Sequence, residues 1–344
     1  MSWSEIESRS HGASASHGES ARLLGIHHVT AIAGDPQQNV EFYARVLGLR
    51  LVKETVNYDD PGTYHLYFGD EIGHPGTILT FFPWPGAPRG RQGVGQATIV
   101  SFSIPPDSLV FWDDRLKSHG VRVQRSESSF DEPIIEFSDP DGLQLELVAD
   151  ARANLGYPWT GAFVPASQAI RGFHSVALLE RAYPDTDALL TGVLGFRLAK
   201  SVGRRRRYVV GDGGLAAWVD VVSAPDERSG HVAVGTVHHV AWRTPDGDAQ
   251  EAWRQKIIKK GVSVTPVVDR QYFRSIYFHE PGGVLFEIAT DPPGFTVDES
   301  PEALGSGLRL PPWLEPRRQA IEARLPVLRL PRAEPGKEAF PRAP

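Results

Sequence analysis

Apolar and polar positions follow one another along this chain in an order that repeats four times between residues 24 and 292. Each repeat opens with a short apolar or alternating stretch, which predicts a strand. A stretch with helical apolar spacing follows and predicts a helix, and a glycine stands just past it, where a left-handed residue commonly ends a helix. Strand-like stretches close each repeat. The predicted first strands are 26–33, 98–104, 172–179 and 237–243, and the predicted helices are 36–46, 108–119, 185–193 and 248–260.

Two closing hairpins indicate that the repeats are copies of one unit. Residues 137–146 and 278–287 each contain a turn with proline and glycine, and each ends in a glutamate six positions after the proline. Turn chemistry explains the proline and the glycine. It does not explain Glu146 and Glu287, since an alternating strand could equally end in threonine or valine. The shared position therefore supports internal repetition and makes Glu287 a candidate site residue.

These elements predict an α+β fold of four βαβββ modules arranged as two domains. Composition shifts suggest the boundaries, because polar tails and segments rich in Gly and Pro commonly separate domains. We predict a disordered N-terminal tail at 1–22, an N-terminal domain at 23–150, a linker at 151–170, a C-terminal domain at 171–292 and a proline-rich C-terminal extension at 293–344.

Composition narrows the class of protein. The chain has no cysteine, which excludes disulfides, Cys-based zinc sites and thiol nucleophiles and suits a reducing compartment. It has no apolar run of about 18 residues, and its first residues lack the pattern of a secretory signal. The formal net charge of −6 gives no reason to expect nucleic acid as a partner. We therefore expect a cytoplasmic enzyme that acts on small molecules. Whether it forms a homo-oligomer stays open.

A histidine doublet occurs twice in the same local setting, as His27-His28 near the start and His238-His239 near the end. Imidazoles at matching positions of two modules converge on one point if the modules pack about a pseudo-twofold axis. Glu287 would then complete a set of two histidines and one carboxylate. This set is associated with non-haem Fe(II) sites that keep open positions for O2 and substrate.

Aligning the four repeats gives one candidate position on each first strand and one on each last strand. Pairing the first repeat with the fourth supplies His28, His239 and Glu287 and leaves Thr80 at the remaining position. Pairing the second with the third supplies one histidine among carboxylates, a poorer Fe(II) set. The aligned positions are His28 and Thr80, Ile99 and Glu146, His174 and Asp220, and His239 and Glu287.

Taken together, these modules resemble the vicinal oxygen chelate superfamily, which includes glyoxalases, bleomycin-resistance proteins and extradiol dioxygenases. Several motifs are more narrowly similar to ring-cleaving dioxygenases that act on hydroquinones. These motifs are the doublet segment 27–30, residues 42–49, 64–68, 75–77 and 171–175, and the Glu-Pro-Gly-Gly hairpin at 280–283.

The hydroquinone dioxygenase resemblance implies Fe(II), with Mn(II) as the alternative, held by His28, His239 and Glu287, and an aromatic diol and O2 as partners. Catechol-cleaving relatives take their ligands from the third and fourth modules, which would replace His28 by His174. We favour His28, because only the first and fourth repeats share the doublet.

The same resemblance implies that five further residues line the substrate or support the ligands: His27, Thr30, His238, Arg270 and Tyr277. Strand alternation predicts that the first histidine of each doublet points away from the second. Two other functions stay open, a catechol extradiol dioxygenase and a glyoxalase-type metal-dependent isomerase. The isomerase usually has four ligands, and Thr80 at the fourth position counts against it.

Overall fold

In the computed structural model, which describes residues 22–156, 158–159 and 163–331, the chain folds as four βαβββ modules. The predicted α+β fold is confirmed. The predicted N-terminal tail lies outside the described residues except for Arg22. Among the described residues, no helix is both long enough and apolar enough to cross a membrane.

The strands follow the predicted repeats closely. Module 1 contains β1 (Ile26–Ala33), β2 (Arg50–Asn57), β3 (Asp60–Gly69) and β4 (Ile78–Pro83), and module 2 contains β5 (Gln96–Ile104), β6 (Val123–Glu127), β7 (Pro133–Ser138) and β8 (Gln144–Ala149). Module 3 contains β9 (Phe173–Glu180), β10 (Arg197–Val202), β11 (Arg205–Val209) and β12 (Trp218–Ser223), and module 4 contains β13 (Val237–Thr244), β14 (Val268–Asp269), β15 (Arg274–His279) and β16 (Leu285–Thr290).

One main helix follows the first strand of each module. These helices are α1 (Pro36–Val40, continued by a π-helical turn at Glu41–Val46), α2 (Leu109–Ser118), α3 (Pro184–Gly192) and α4 (Gly247–Ile258). Asp35 caps α1 and Asp246 caps α4 by accepting a backbone N–H. A short helix, α5 (Arg318–Glu322), and 3-10 turns at Pro106–Ser108, Ala151–Leu155, Phe295–Val297, Pro301–Ala303 and Glu315–Arg317 complete the helical elements of the described residues.

The modules pair out of sequence order. Sheet A joins modules 1 and 4 in the strand order β14-β15-β16-β13-β1-β4-β3-β2, and sheet B joins modules 2 and 3 in the order β10-β11-β12-β9-β5-β8-β7-β6. The first strands meet antiparallel at the centre of each sheet, β1 with β13 and β5 with β9. The predicted domains at 23–150 and 171–292 therefore do not coincide with the sheets. Composition marks where a module ends, but it does not show which first strands pair.

One large apolar core runs through both sheets. It includes side chains from every module, such as Phe68, Phe102, Phe173 and Trp242, each less than 2% exposed. Cross-module hydrogen bonds supplement it: the Tyr43 hydroxyl donates to Asp139 at 3.0 Å. The two sheets are thus held as one body by shared apolar burial.

The described part of the C-terminal extension packs on module 1. Lys53, fully buried on β2, donates to Asp298 at 2.6 Å and also to Glu299. The Tyr64 hydroxyl donates to the carbonyl oxygen of Pro326 at 2.8 Å. The extension therefore covers the outer strands β2 and β3 of sheet A.

Candidate active site in sheet A

Three side chains converge where modules 1 and 4 meet. His28 Nε2 and His239 Nε2 lie 3.3 Å apart, and Glu287 Oε2 lies 3.3 Å from the first and 3.0 Å from the second. All three side chains are buried. They are also the single cluster of His, Asp and Glu among the described residues whose ligand atoms are close enough to share one metal ion.

The donor set fits a divalent cation. Two ligand atoms about 2.1 Å from one ion and at right angles to each other are about 3.0 Å apart. Glu287 Oε2 is buried and has no hydrogen-bond partner in the described structure, although it faces both imidazoles. Burial alone would raise the pKa of Glu287, but His28 and His239 hold it well below its ordinary value. The carboxylate is therefore ionised and available as a ligand.

Two β-bulges bring both histidines of each doublet to the same region. The pairing of β1 with β13 skips His27 between Ile26 and His28, and it skips His238 between His239 and Val237. A bulge inserts one residue and redirects its side chain. The prediction that His27 and His238 point away from their neighbours is wrong for this reason. His27 Nδ1 lies 2.9 Å from His28 Nδ1, and His238 Nδ1 lies 2.8 Å from His239 Nδ1.

These contacts orient the two candidate ligand imidazoles. A histidine that binds a metal through Nε2 carries its proton on Nδ1, and a neighbouring acceptor fixes that tautomer. His27 and His238 are placed to accept those protons. Burial lowers the pKa of His27 well below its ordinary value and, together with His239, lowers the pKa of His238 to about 3, so both rings are neutral. Ser275 supports the third ligand by donating to Glu287 Oε1.

A cavity of about 260 Å³ opens beside the three ligands. Its polar wall includes His238, Arg270 and Tyr277, three of the residues that the family resemblance implies. Its apolar wall consists of Leu285 and five aromatic rings, those of Tyr58, Tyr67, Phe82, Trp84 and Phe273. The mixture of aromatic faces and a few convergent polar groups is typical of a site for a small aromatic molecule.

Arg270 and Tyr277 form a pair on the cavity wall. Arg270 Nε donates to the Tyr277 hydroxyl at 3.1 Å, and Arg270 Nη1 donates to Asp59 at 2.9 Å. Tyr277 lies opposite Glu287 in the register of β15 with β16, which places it next to the ligands. Burial raises the pKa of Tyr277 above its ordinary value, so the phenol stays protonated and can donate a hydrogen bond.

Thr30 lies behind the cavity wall rather than on it. It is fully buried, and its hydroxyl lies 2.9 Å from that of Thr80. Thr80 in turn lies 2.8 Å from His65 Nε2, and His65 Nδ1 lies 2.8 Å from the Tyr67 hydroxyl. Sequence reasoning gave His65 no role, yet it lines the cavity. The pattern that could have indicated it is the spacing of His65 and Tyr67 on β3, because residues two apart on a strand lie on the same face.

His174 is not part of this cluster. It lies in sheet B, where its Nε2 is 3.2 Å from Arg152 and 3.3 Å from Glu132. The pairing of β5 with β9 skips His174 between Ser175 and Phe173, so its equivalent in module 4 is His238. The sequence alignment of His174 with His239 was therefore wrong by one residue. The rival ligand set based on His174 does not assemble.

Residues 25–147 and 172–296 match the family described as the glyoxalase/bleomycin resistance protein/dioxygenase superfamily. The chain belongs to this superfamily. A Bacillus subtilis (strain 168) protein named as a ring-cleaving dioxygenase, MhqO, is 48% identical over 303 residues, which are 88% of this chain and 95% of that protein. The chlorohydroquinone/hydroquinone 1,2-dioxygenase of Sphingobium indicum is 38% identical over 302 residues, 86% of this chain and 93% of that protein.

A crystal structure from Bacillus subtilis, described as that of a dioxygenase, agrees with this fold. It has a TM-score of 0.87 and 45% identity and covers 91% of this chain and 100% of that chain. The superfamily resemblance drawn from the sequence is confirmed, and the names of these relatives support a reaction of the dioxygenase kind.

Proposed function

We propose that this protein is an Fe(II)-dependent ring-cleaving dioxygenase of hydroquinone-type aromatic diols, which inserts both atoms of O2 next to a hydroxyl-bearing ring carbon. The convergence of His28, His239 and Glu287 beside an aromatic cavity carries the proposal. The relatives named for ring cleavage and for hydroquinone support it. Mn(II) is the alternative ion, because carboxylate and imidazole ligands also suit it.

The ion would lower the pKa of a bound phenol and activate O2. The chain's own residues position the diol. The five aromatic rings of the cavity exclude water and hold the substrate ring. Arg270 Nη2, which has no partner among the described residues, is available to the hydroxyl at the far side of a para-diol.

His238 is the candidate hydrogen-bond donor to the reacting oxygen. Its Nδ1 faces His239 Nδ1, so a proton donated from His239 leaves the proton of His238 on Nε2. His238 lines the cavity, and its ring is neutral. Tyr277 adds a protonated phenol on the same wall. These two groups supply hydrogen bonds beside the candidate ligands, where they would stabilise negative charge that develops on the reacting oxygen.

Thr80 favours a dioxygenase over a glyoxalase-type isomerase. It lies opposite Thr30 in the pairing of β1 with β4 and occupies the place that Glu287 occupies in module 4. A threonine held by Thr30 and His65 leaves that side open instead of supplying a fourth carboxylate. Open positions are what O2 and a substrate oxygen require.

The test is anaerobic loading with Fe(II), followed by O2 uptake with a panel of hydroquinones and catechols. We expect stoichiometric O2 consumption and a ring-opened product from hydroquinones, with slower turnover of catechols. Loading with Mn(II) in parallel identifies the ion. Turnover of the methylglyoxal–glutathione adduct by a Zn or Ni form, without O2 uptake on any diol, would instead assign an isomerase.

A further inference from the structure

The mouth of the cavity carries an ion pair between modules 1 and 4. Asp59 lies in the turn between β2 and β3, and Arg270 precedes β15. Their side chains meet with Asp59 Oδ2 2.9 Å from Arg270 Nη1, and both residues line the cavity. The Asp59 backbone N–H donates to Asn57 Oδ1 at 3.0 Å, which holds the turn that presents the carboxylate.

The charges that line the cavity are few. Of its lining residues, Arg270, Asp59 and Glu287 carry a guanidinium or a carboxylate. Glu287 faces the two ligand histidines and so belongs to the metal set. Asp59 and Arg270 neutralise each other. The part of the cavity away from the ligands therefore has a polar donor, but no net positive charge.

This arrangement separates two kinds of substituted diol. A neutral hydroxyl needs a hydrogen-bond donor, and the Nη2 group of Arg270 can serve as one. A carboxylate on the ring needs an unpaired positive charge when it leaves water. It would instead meet a guanidinium that already has an anion, with the Asp59 carboxylate beside it.

From this geometry we propose that Asp59 is a specificity-determining residue: it excludes carboxylated diols and restricts the cavity to hydroquinones with uncharged substituents. The inference rests on the proposed function, since it concerns the substrate class of the same site. Asp59 acts both by neutralising Arg270 and by repelling a second carboxylate at short range.

The turn offers a clean comparison. The side chain of Asp59 is 73% exposed, and an ion pair in such a position contributes little to folding. Asp60, the next residue, is also exposed but does not line the cavity. Its carboxylate accepts a hydrogen bond from the Thr63 hydroxyl at 3.0 Å. Asp60→Asn therefore removes the same charge one residue away and controls for the net charge of the turn.

The experiment compares kcat/KM for methylhydroquinone and for 2,5-dihydroxybenzoate in the Fe(II)-loaded wild type, Asp59→Asn and Asp60→Asn. We expect the ratio of carboxylated to methylated substrate to rise at least about tenfold in Asp59→Asn and to stay near the wild-type value in Asp60→Asn. Adding Arg270→Gln to Asp59→Asn should remove the gain, because Arg270 supplies the charge. An unchanged ratio in Asp59→Asn, or an equal rise in both single variants, overturns the proposal.

A binding measurement separates this inference from the reaction itself. The thermal shift of the anaerobic protein with 4-hydroxybenzoate should show tighter binding to Asp59→Asn than to Asp60→Asn. If no variant consumes O2 with any hydroquinone, the proposed function fails, while this comparison still decides the role of Asp59. Equal binding of 4-hydroxybenzoate by both variants overturns that role.

Discussion

Sheets A and B are built alike, but their centres carry different chemistry. The register of the central strands gives four equivalent positions in each sheet. They hold His28, Thr80, His239 and Glu287 in sheet A, and Ile99, Glu146, Ser175 and Asp220 in sheet B. In both sheets a β-bulge lies at the residue before each of the two first-strand positions. The same backbone therefore forms two cradles, of which one presents a set of candidate metal ligands.

In sheet B, charged side chains of the protein pair with one another in the cradle. Asp220 is fully buried and accepts from Arg205 at 3.0 Å and from Arg207 at 2.7 Å. Arg207 also donates to Glu132 at 2.6 Å, and Glu146 accepts from Ser101 at 2.6 Å. In sheet A the corresponding carboxylate, Glu287, faces two imidazoles and no cation among the described residues.

The third strands of modules 1, 3 and 4 explain this difference. Arg207 pairs with Asp220 in the register where Tyr277 pairs with Glu287 and Tyr67 pairs with Thr80. Two residues earlier stand Arg205, Ser275 and His65, and each contacts the last-strand residue of its own module. Cations at these two positions of module 3 close the cradle of sheet B, whereas hydroxyl and imidazole groups at the same positions of modules 1 and 4 leave that of sheet A open.

The comparison predicts that metal binding depends on sheet A alone. His28→Ala, His239→Ala and Glu287→Ala should each weaken iron retention by more than about 100-fold, because each removes a direct ligand. His174→Ala should keep the iron. Metal analysis of the four purified variants decides the matter, and loss of iron from the His174 variant would contradict the distinction between the sheets.

Breaking the charge cluster of sheet B should affect folding rather than the metal. Asp220→Ala leaves Arg205 and Arg207 without their buried partner, so we expect the free energy of unfolding to fall by about 3–5 kcal/mol. Urea unfolding measures it. Asp212→Ala is the control, since Asp212 forms a surface pair and is 94% exposed. Iron loss in Asp220→Ala without loss of stability would reverse the roles assigned to the two sheets.

Within sheet A, Arg270 should distinguish para-diols from ortho-diols. A para-diol offers the metal one oxygen, so the protein must hold the other. Arg270→Ala should raise KM for hydroquinones by an amount equivalent to about 2–4 kcal/mol, while metal content stays constant and catechols suffer less. Steady-state kinetics on both diol types test this. Equal losses on both would leave a general extradiol dioxygenase.

A third electrostatic arrangement lies between the sheets, where Glu180 of sheet B is close to Glu280 of sheet A. Glu180, at the end of β9, is buried without a hydrogen-bonding cation among the described residues, and burial together with Glu280 raises its pKa to about 9. Because the pKa of Glu180 is higher in the folded state than in the unfolded state, the folded state is favoured most at pH values below the unfolded-state pKa. This contribution to stability is lost as the pH rises towards 9. Glu180→Gln should therefore stabilise the fold at pH 7 by on the order of 2 kcal/mol.

The pH series supplies its own control. Below pH 4 the Glu180 variant and the wild type should unfold at similar denaturant concentrations, and the difference should grow from pH 5 to pH 9. Denaturant midpoints at four pH values are sufficient. A constant difference at every pH would show that the carboxyl is not protonated in the fold.

The smallest effect concerns the open side of the cradle in sheet A. Thr80→Val keeps the shape but removes the hydroxyl between Thr30 and His65. We expect a loss of about 1–2 kcal/mol in stability, because buried polar partners are left unsatisfied, with iron retained and a moderate fall in kcat. Thermal unfolding and metal analysis test this. Loss of iron in this variant would indicate that Thr80 belongs to the ligand set.

Several features were predictable because they depend on local pattern. The four modules follow from helical and alternating periodicities, and the paired doublets with Glu287 single out the residues that the fold brings together. Others depend on register. The off-by-one placement of His174 and the direction of His27 and His238 both follow from bulges, which the apolar pattern does not mark. The same holds for Arg207 in the basic run 204–207: it is buried against Asp220 in sheet B, a position that the run of charges does not mark.

By itself, the sequence determined which modules exist and which residue types each could contribute, because apolar periodicity and turn chemistry act over a few residues. Tertiary structure alone decided that module 1 pairs with module 4, that His65 lines the cavity and that Asp59 meets Arg270. Asp59 and Arg270, for example, are 211 positions apart. Such contacts arise only when strands pair and a shared core forms, and the energy of that pairing is spread over apolar surface that no local motif records.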